Sequence, residues 1–219
     1  MPPVKTSKKP TRKERAAATR RKIVAAATTL FAEHGYQATT MSEIASSAGV
    51  AVQTVHFVFH TKAALLNEAF ESAVLGELGP PPQQPWFRAL AHEQDGRKLL
   101  ASVVENITPI AERAAPLSRV IRGAPDEAAT AVWQRQEDLR RDGYKHIIAL
   151  LAADGRLRPG LSIEDAIDIL MFILGPDSHQ ILINDHGWTV EHWKSWATET
   201  LAQQLLATTR KASRRGRTL

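Results

Sequence analysis

Between Thr40 and Lys62 the sequence gathers hydroxyls, an amide, an imidazole and an ammonium at spacings that suit contact with a polyanion. Thr40 and Thr61 each precede a helical pattern, and a helix N-terminus offers a phosphate unpaired N–H groups and a positive dipole end. Lys62 adds a full charge beside the second of these. Two short helical patterns meet at Gly49, with the small Ala45 where they would cross, and these are the parts of a helix-turn-helix. The second pattern, from about Ala51 to Phe59, turns Val52, Gln53 and Phe57 outward, and Ser42 can reach from the first. Phosphate contacts would set register and affinity, while base edges must be read from that outward face in the major groove. The competing reading is a three-helix bundle with no partner.

Charge favours the nucleic-acid reading. Residues 1–22 carry nine Lys and Arg against Glu14 alone, and residues 210–219 carry five with no acid; the overall +5 therefore leaves −8 on residues 23–209. An acidic body with basic ends is expected where the ends meet a polyanion. The C-terminal run reads equally well as a solubilising tail.

Helices must position all of this, because apolar residues recur at helical spacing and no alternating strand pattern appears. The fold class is all-α: an N-terminal three-helix helix-turn-helix domain followed by a C-terminal helical domain. Ile23, Ala27, Leu30 and Phe31 form the first stripe, closed by Gly35. Thr40 and Glu43 make a capping box for the second helix, and Val55 and Phe59 face inward on the third. Thr61 caps a fourth helix carrying Leu65, Leu66, Ala69 and Phe70. Gly79–Pro85 is a break. Leu99–Ile110 mark a helix ending near Pro116, followed by a short one at Leu117–Arg122. Pro125-Asp126-Glu127 starts a long helix to about Ala153. Ser162 and Asp165 open a helix nearly apolar all round, kinked at Gly175-Pro176, and Thr189 caps the last.

The N-terminal run resembles the TetR/AcrR family of bacterial repressors. The matching residues are Ile23, Ala27 and Leu30 through Thr40, then Glu43-Ile44-Ala45, Ala48-Gly49-Val50, Thr54-Val55, Phe59-His60-Thr61-Lys62 and Leu65-Leu66. The resemblance implies phosphate contacts at Thr40, Thr54, His56 and Lys62, and base reading at Ser42, Val52, Gln53 and Phe57. It also implies a C-terminal ligand-binding and dimerisation domain. The chain departs from the pattern at Gln53, where Gly is frequent, which adds a donor and acceptor suited to adenine. At His56, where Tyr is usual, an imidazole replaces a neutral hydroxyl. The domains expected are a basic flexible leader at 1–19, the DNA-binding domain at 20–66, the ligand-binding and dimerisation domain at 67–209, and a basic flexible tail at 210–219.

In the C-terminal part, a helix apolar on all faces beside one bearing two Trp exceeds what a small domain covers alone. A homodimer is therefore expected through Ser162–Ile183 and Thr189–Thr208, at Ile167, Leu170, Trp193, Trp196, Leu201 and Leu205. Asn106 and Arg113 lie on the stripe Leu99, Val103, Ile110; Asn106, Trp133 and Phe172 are the candidate ligand contacts, against a core role for each. Glu137 reads as lying on a solvated face.

No phosphate loop, nucleophile elbow or cysteine appears, so neither an enzyme, a cofactor nor a metal is expected. His56 and His60 share helical spacing without an acidic partner. No apolar leader opens the chain, and the most apolar run, Ile169–Leu174, is too short for a bilayer, which points to the cytoplasm. The function expected is a DNA-binding regulator: a repressor released from its operator by a small molecule or, alternatively, a constitutive activator or architectural protein without a ligand.

Overall fold

The computed structural model describes residues 11–76, 79–124 and 126–207. The first ten residues of the basic leader, Pro125, Thr208 and the basic tail at 210–219 lie outside them. The described residues form ten α-helices with short 3-10 and π turns, and no strand beyond one isolated bridge between Leu157 and Leu206. They are α1 (Arg12–Ala38), α2 (Met41–Ala48), α3 (Val52–Phe59), α4 (Lys62–Leu75) and α5 (Pro85–Ala89), then α6 (Gly96–Arg122), α7 (Glu127–Ala153), α8 (Ile163–Ile173), α9 (Pro176–His179) and α10 (Val190–Leu205). They fall into two compact units: residues through Val74 with Pro116–Arg135, and Leu75–Ala115 with Gln136 onward.

The first unit is built on α1–α4. Helix α1 begins at Arg12, inside the stretch expected as a flexible leader. Thr11 and Glu14 close a capping box there that satisfies two N-terminal donors. Gly35, at φ +81°, breaks the helical path near its end, and the buried Thr39 pins the break by donating to the carbonyls of Leu30 and Gly35. Ile23, Ala27 and Phe31 are buried, as their stripe requires, against Ile44, Ala45, Val55, Phe59, Leu65 and Leu66. Arg20 ties three helices together: it pairs with Glu68 of α4 and its guanidinium lies 4.6 Å over the ring of Phe59 of α3.

The second unit has its own core, in which Leu99, Leu100, Val103, Tyr144, Ile148, Ile167, Leu170, Trp193 and Leu201 meet. Helix α6 differs from its sequence reading. It does not end near Pro116 but runs on to Arg122, passing both Pro109 and Pro116. A mid-helix proline removes one hydrogen bond and invites a kink; neighbouring Thr108 donates to the Val104 carbonyl at 2.6 Å. The expected break at Gly175-Pro176 is present: α8 stops at Ile173, α9 starts at Pro176, and Gln180–Asp185 follows as a π-helical turn. By length and composition Ile163–Asp185, 23 residues, could cross a bilayer, a longer apolar stretch than Ile169–Leu174. Its Ile167, Leu170 and Ile173 are instead packed in the protein core, and the break divides it.

Candidate nucleic-acid interface

Helix α2 is closed at both ends by local chemistry. At its start the Thr40 N–H and hydroxyl both donate to Glu43 Oε2, at 2.8 and 2.9 Å, while the Thr40 oxygen accepts from the Glu43 N–H at 3.2 Å. These bonds, with His34 nearby, hold the Glu43 carboxyl below the usual carboxylate range. At its end Gly49 is left-handed, and the N–H groups of Gly49 and Val50 reach back to the Ser46 and Ala45 carbonyls. This doubly bonded stop needs a residue at positive φ, which Gly adopts without a Cβ penalty. The chain re-enters helix at Val52, and Ala51 supplies no side-chain cap.

Helix α3 buries Val55 and Phe59 and turns Gln53, His56 and Phe57 to solvent; Phe57 is 82% exposed. Gln53 and Phe57, four residues apart, share one face. Val52 and Thr54 are half-buried at its flank, and Thr40 and Ser42 are exposed on the neighbouring helix. An amide and an aromatic ring on one outward helical face can meet adenine N6/N7 and the thymine methyl.

Directly after α3, His60 takes φ +56° and ψ −49°, and the Thr61 N–H donates to the Phe59 carbonyl at 2.5 Å. A γ-turn at positive φ is strained in a residue with a Cβ. It allows only two residues, His60 and Thr61, between α3 and α4, with the Thr61 hydroxyl accepting from the Ala64 N–H.

Lys62, expected as a phosphate contact, is half-buried beside the end of α1. Its ammonium turns inward, donating to the carbonyls of Tyr36 (2.8 Å), Thr39 (3.1 Å) and Gln37 (3.4 Å), and lies 4.4 Å from the centre of the Tyr36 ring. The physical reason lies in its position: a cation at the first residue of α4 opposes that helix's own dipole, whereas the exposed carbonyls ending α1 welcome it.

The C-terminal candidates are dispersed. Asn106 donates its amide to the Ser102 carbonyl one turn back, at 2.8 Å. Trp133 belongs to the first unit, under the guanidinium of Arg122. Phe172 is 79% exposed. Ile167, Leu170, Trp193, Leu201 and Leu205, expected at a dimer seam, are fully buried within their own chain, and only Trp196 stays half-exposed. The stripe is real, but it faces α6 and α7; the exposed apolar residues on the same stretch are Ile163, Phe172 and Ile181. Glu137 is not simply solvated: it pairs with the partly buried Arg140 at 2.8 Å. Arg140 is half-buried and His179 buried, and neither stands out in the sequence. Among the described residues no cluster of three or more metal-ligating side chains occurs.

Residues 23–69 match the family model described as bacterial regulatory proteins, tetR family. No curated protein sequence matches the chain. Among solved structures it is similar to NalD, the secondary repressor of the MexAB-OprM multidrug efflux pump in Pseudomonas aeruginosa, at 22% identity over 90% of this chain and 100% of that one, with a TM-score of 0.69. It is similar to the transcriptional regulator FadR from Bacillus subtilis, in complex with stearoyl-CoA, at 19% identity over 83% and 97% of the chains and a TM-score of 0.68. A SmeT–triclosan complex matches at 20% identity over 88% and 93%, with a TM-score of 0.66.

Proposed function

We propose, from the premise that the N-terminal domain belongs to the tetR family of bacterial regulatory proteins, that the protein is a cytoplasmic, homodimeric transcriptional repressor released from its operator by a small molecule. The observation that carries this reading is the solvent-facing row Gln53, His56 and Phe57 on a short helix locked by the Gly49 turn. Such a helix enters the major groove, and a two-fold dimer presents two of them to half-sites about one helical turn apart. Gln53 and Phe57, with Ser42 and Val52, read bases; Thr40, Thr54 and His56 meet phosphates. The dimer uses the outward apolar residues Phe172, Ile181 and Trp196 rather than the buried stripe.

Release by a small molecule is supported by the similar structures whose descriptions name stearoyl-CoA and triclosan. The ligand is held in the second unit and favours a state whose recognition helices no longer match both half-sites. Selecting bound DNA from a random pool tests the reading. A two-fold symmetric site, bound by dimers and weakened by base changes under α3, is expected. Recovery of no preferred sequence would refute it.

A further inference from the structure

Among the described residues, four buried side-chain nitrogens of the second unit have no hydrogen-bond partner: Nε and Nη1 of Arg140, and Nδ1 and Nε2 of His179. The case of Arg156 Nε is different, because the other nitrogens of that guanidinium bond the Glu93 and Leu150 carbonyls and Asp154. Buried polar groups are ordinarily paired, and an unpaired one is costly. His179 is only 3% exposed, and its ring packs edge-on to Trp193 at 5.4 Å.

Both residues border the break between α8 and α9. A Cβ at Gly175 would stand 2.8 Å from the Met171 carbonyl oxygen, a backbone clash that favours glycine, and 3.1 Å from Arg140 Nη1, which places the guanidinium against this break. His179 follows one turn later, its N–H donating to the Gly175 carbonyl at 3.3 Å. Tyr144, one turn beyond Arg140 on α7, reaches the Leu174 carbonyl at 3.5 Å. The neighbouring π-helical turn departs from regular helix directly after His179, and such turns recur at functional sites.

The chemistry of the orphaned groups selects a ligand. Arg140 offers donors only, and its charge is already matched by Glu137 at 2.8 Å. Glu112 lies 3.9 Å from His179 Nε2, beyond hydrogen-bond reach but close enough to repel an anion. Burial lowers the pKa of His179, against the opposing pull of Glu112, which favours an imidazole with one donor and one acceptor. Arg140 has two donors unmet and a neutral His179 has one donor and one acceptor unmet, so the group that suits them is an uncharged oxygen, not an anion. We propose that Arg140 and His179 are the polar anchors of the effector site, and that the effector is an uncharged, largely apolar molecule bearing carbonyl or hydroxyl oxygens. The proposal rests on the ligand-responsive reading above and names the ligand class.

A library of aromatic fragments grouped as neutral carbonyl or hydroxyl compounds, carboxylates, amines and hydrocarbons tests it on the full chain. Thermal shift and calorimetry read binding, and nitrogen NMR of the imidazole reads His179 directly. Neutral oxygen-bearing fragments should raise the Tm and shift the His179 ring resonances. Their affinity should fall about tenfold in Arg140→Lys, which keeps the charge opposite Glu137 but loses Nε and Nη1, and about tenfold in His179→Phe. The NMR arm needs no substitution, so it stands even where a variant folds poorly. The proposal is overturned by preferential binding of carboxylates or amines, by affinities unchanged in both variants, or by His179 resonances that no fragment moves. Operator binding is measured separately: its absence refutes the repressor reading while leaving the fragment result intact.

Discussion

The two units differ in how far their inward polar groups are satisfied. In the first, the buried Thr39 hydroxyl and the inward-turned Lys62 ammonium end on backbone carbonyls, and the groups with unused capacity stand outside on α3. In the second, Thr108 and Asn106 likewise end on carbonyls, but the partly buried Arg140 and the buried His179 each keep two nitrogens unpaired among the described residues. A rigid interior suits the fixed DNA-reading surface proposed for α3. On the proposed ligand-responsive reading, groups left unsatisfied inside, where water competes least, are the ones an effector can meet.

The sharpest way to break this comparison is to put a charge where the second unit is closed and where it is open. Leu201→Glu buries a carboxylate in the core and should cost about 3–5 kcal/mol, seen as loss of the folded signal in denaturant titration. Phe172→Glu changes an exposed site; the protein should stay folded but sediment as a monomer and lose most operator affinity. A folded Leu201→Glu protein that dissociates would instead return the seam to the buried stripe.

The next test separates surface reading from internal bracing in the first unit. Gln53→Ala and Phe57→Ala should each cost about 1–3 kcal/mol of operator affinity, with relaxed preference at one base pair per half-site and an unchanged Tm. Lys62→Ala should do the reverse. Loss of its carbonyl contacts should lower stability by about 1–2 kcal/mol, while the salt dependence of DNA binding changes by less than one charge per subunit. A slope reduced by a full charge at constant Tm would make Lys62 a phosphate contact after all.

The smallest effect is pH-linked. Burial depresses the folded pKa of His179 below its ordinary 6.5, so between the two values the unfolded chain binds more protons than the folded one. The stabilising effect of a neutral His179 is therefore complete above 6.5 and lost as pH falls through and below it. Wild-type Tm should drop more steeply from pH 7.5 to 5.5 than that of His179→Phe; parallel curves would mean that His179 is not held neutral by the fold.

Much of the helical order was legible because its signals are local. Thr40 with Glu43, Ser162 with Asp165, Thr189, Gly49 and Gly175-Pro176 mark starts and stops through bonds spanning five residues or fewer, and each stands where its spacing placed it. The outward face of α3 follows from the same periodicity, since burying Val55 and Phe59 leaves Gln53, His56 and Phe57 outside. Proline in α6 misled, because packing of a long helix outweighs one missing hydrogen bond.

The sequence by itself determined most helix starts and stops and which residues share a face, because both depend on backbone geometry within a turn or two. Only the tertiary structure decided what each face meets. The apolar stripe of Leu170, Trp193 and Leu201 is equally suited to a partner subunit or to its own chain, since burial is non-directional, and the fold spends it internally. Lys62 could serve a phosphate or a carbonyl, and the end of α1, twenty-odd residues upstream, is what claims it. Arg140 and His179 owe their unpaired state to helices that meet only once the chain is folded.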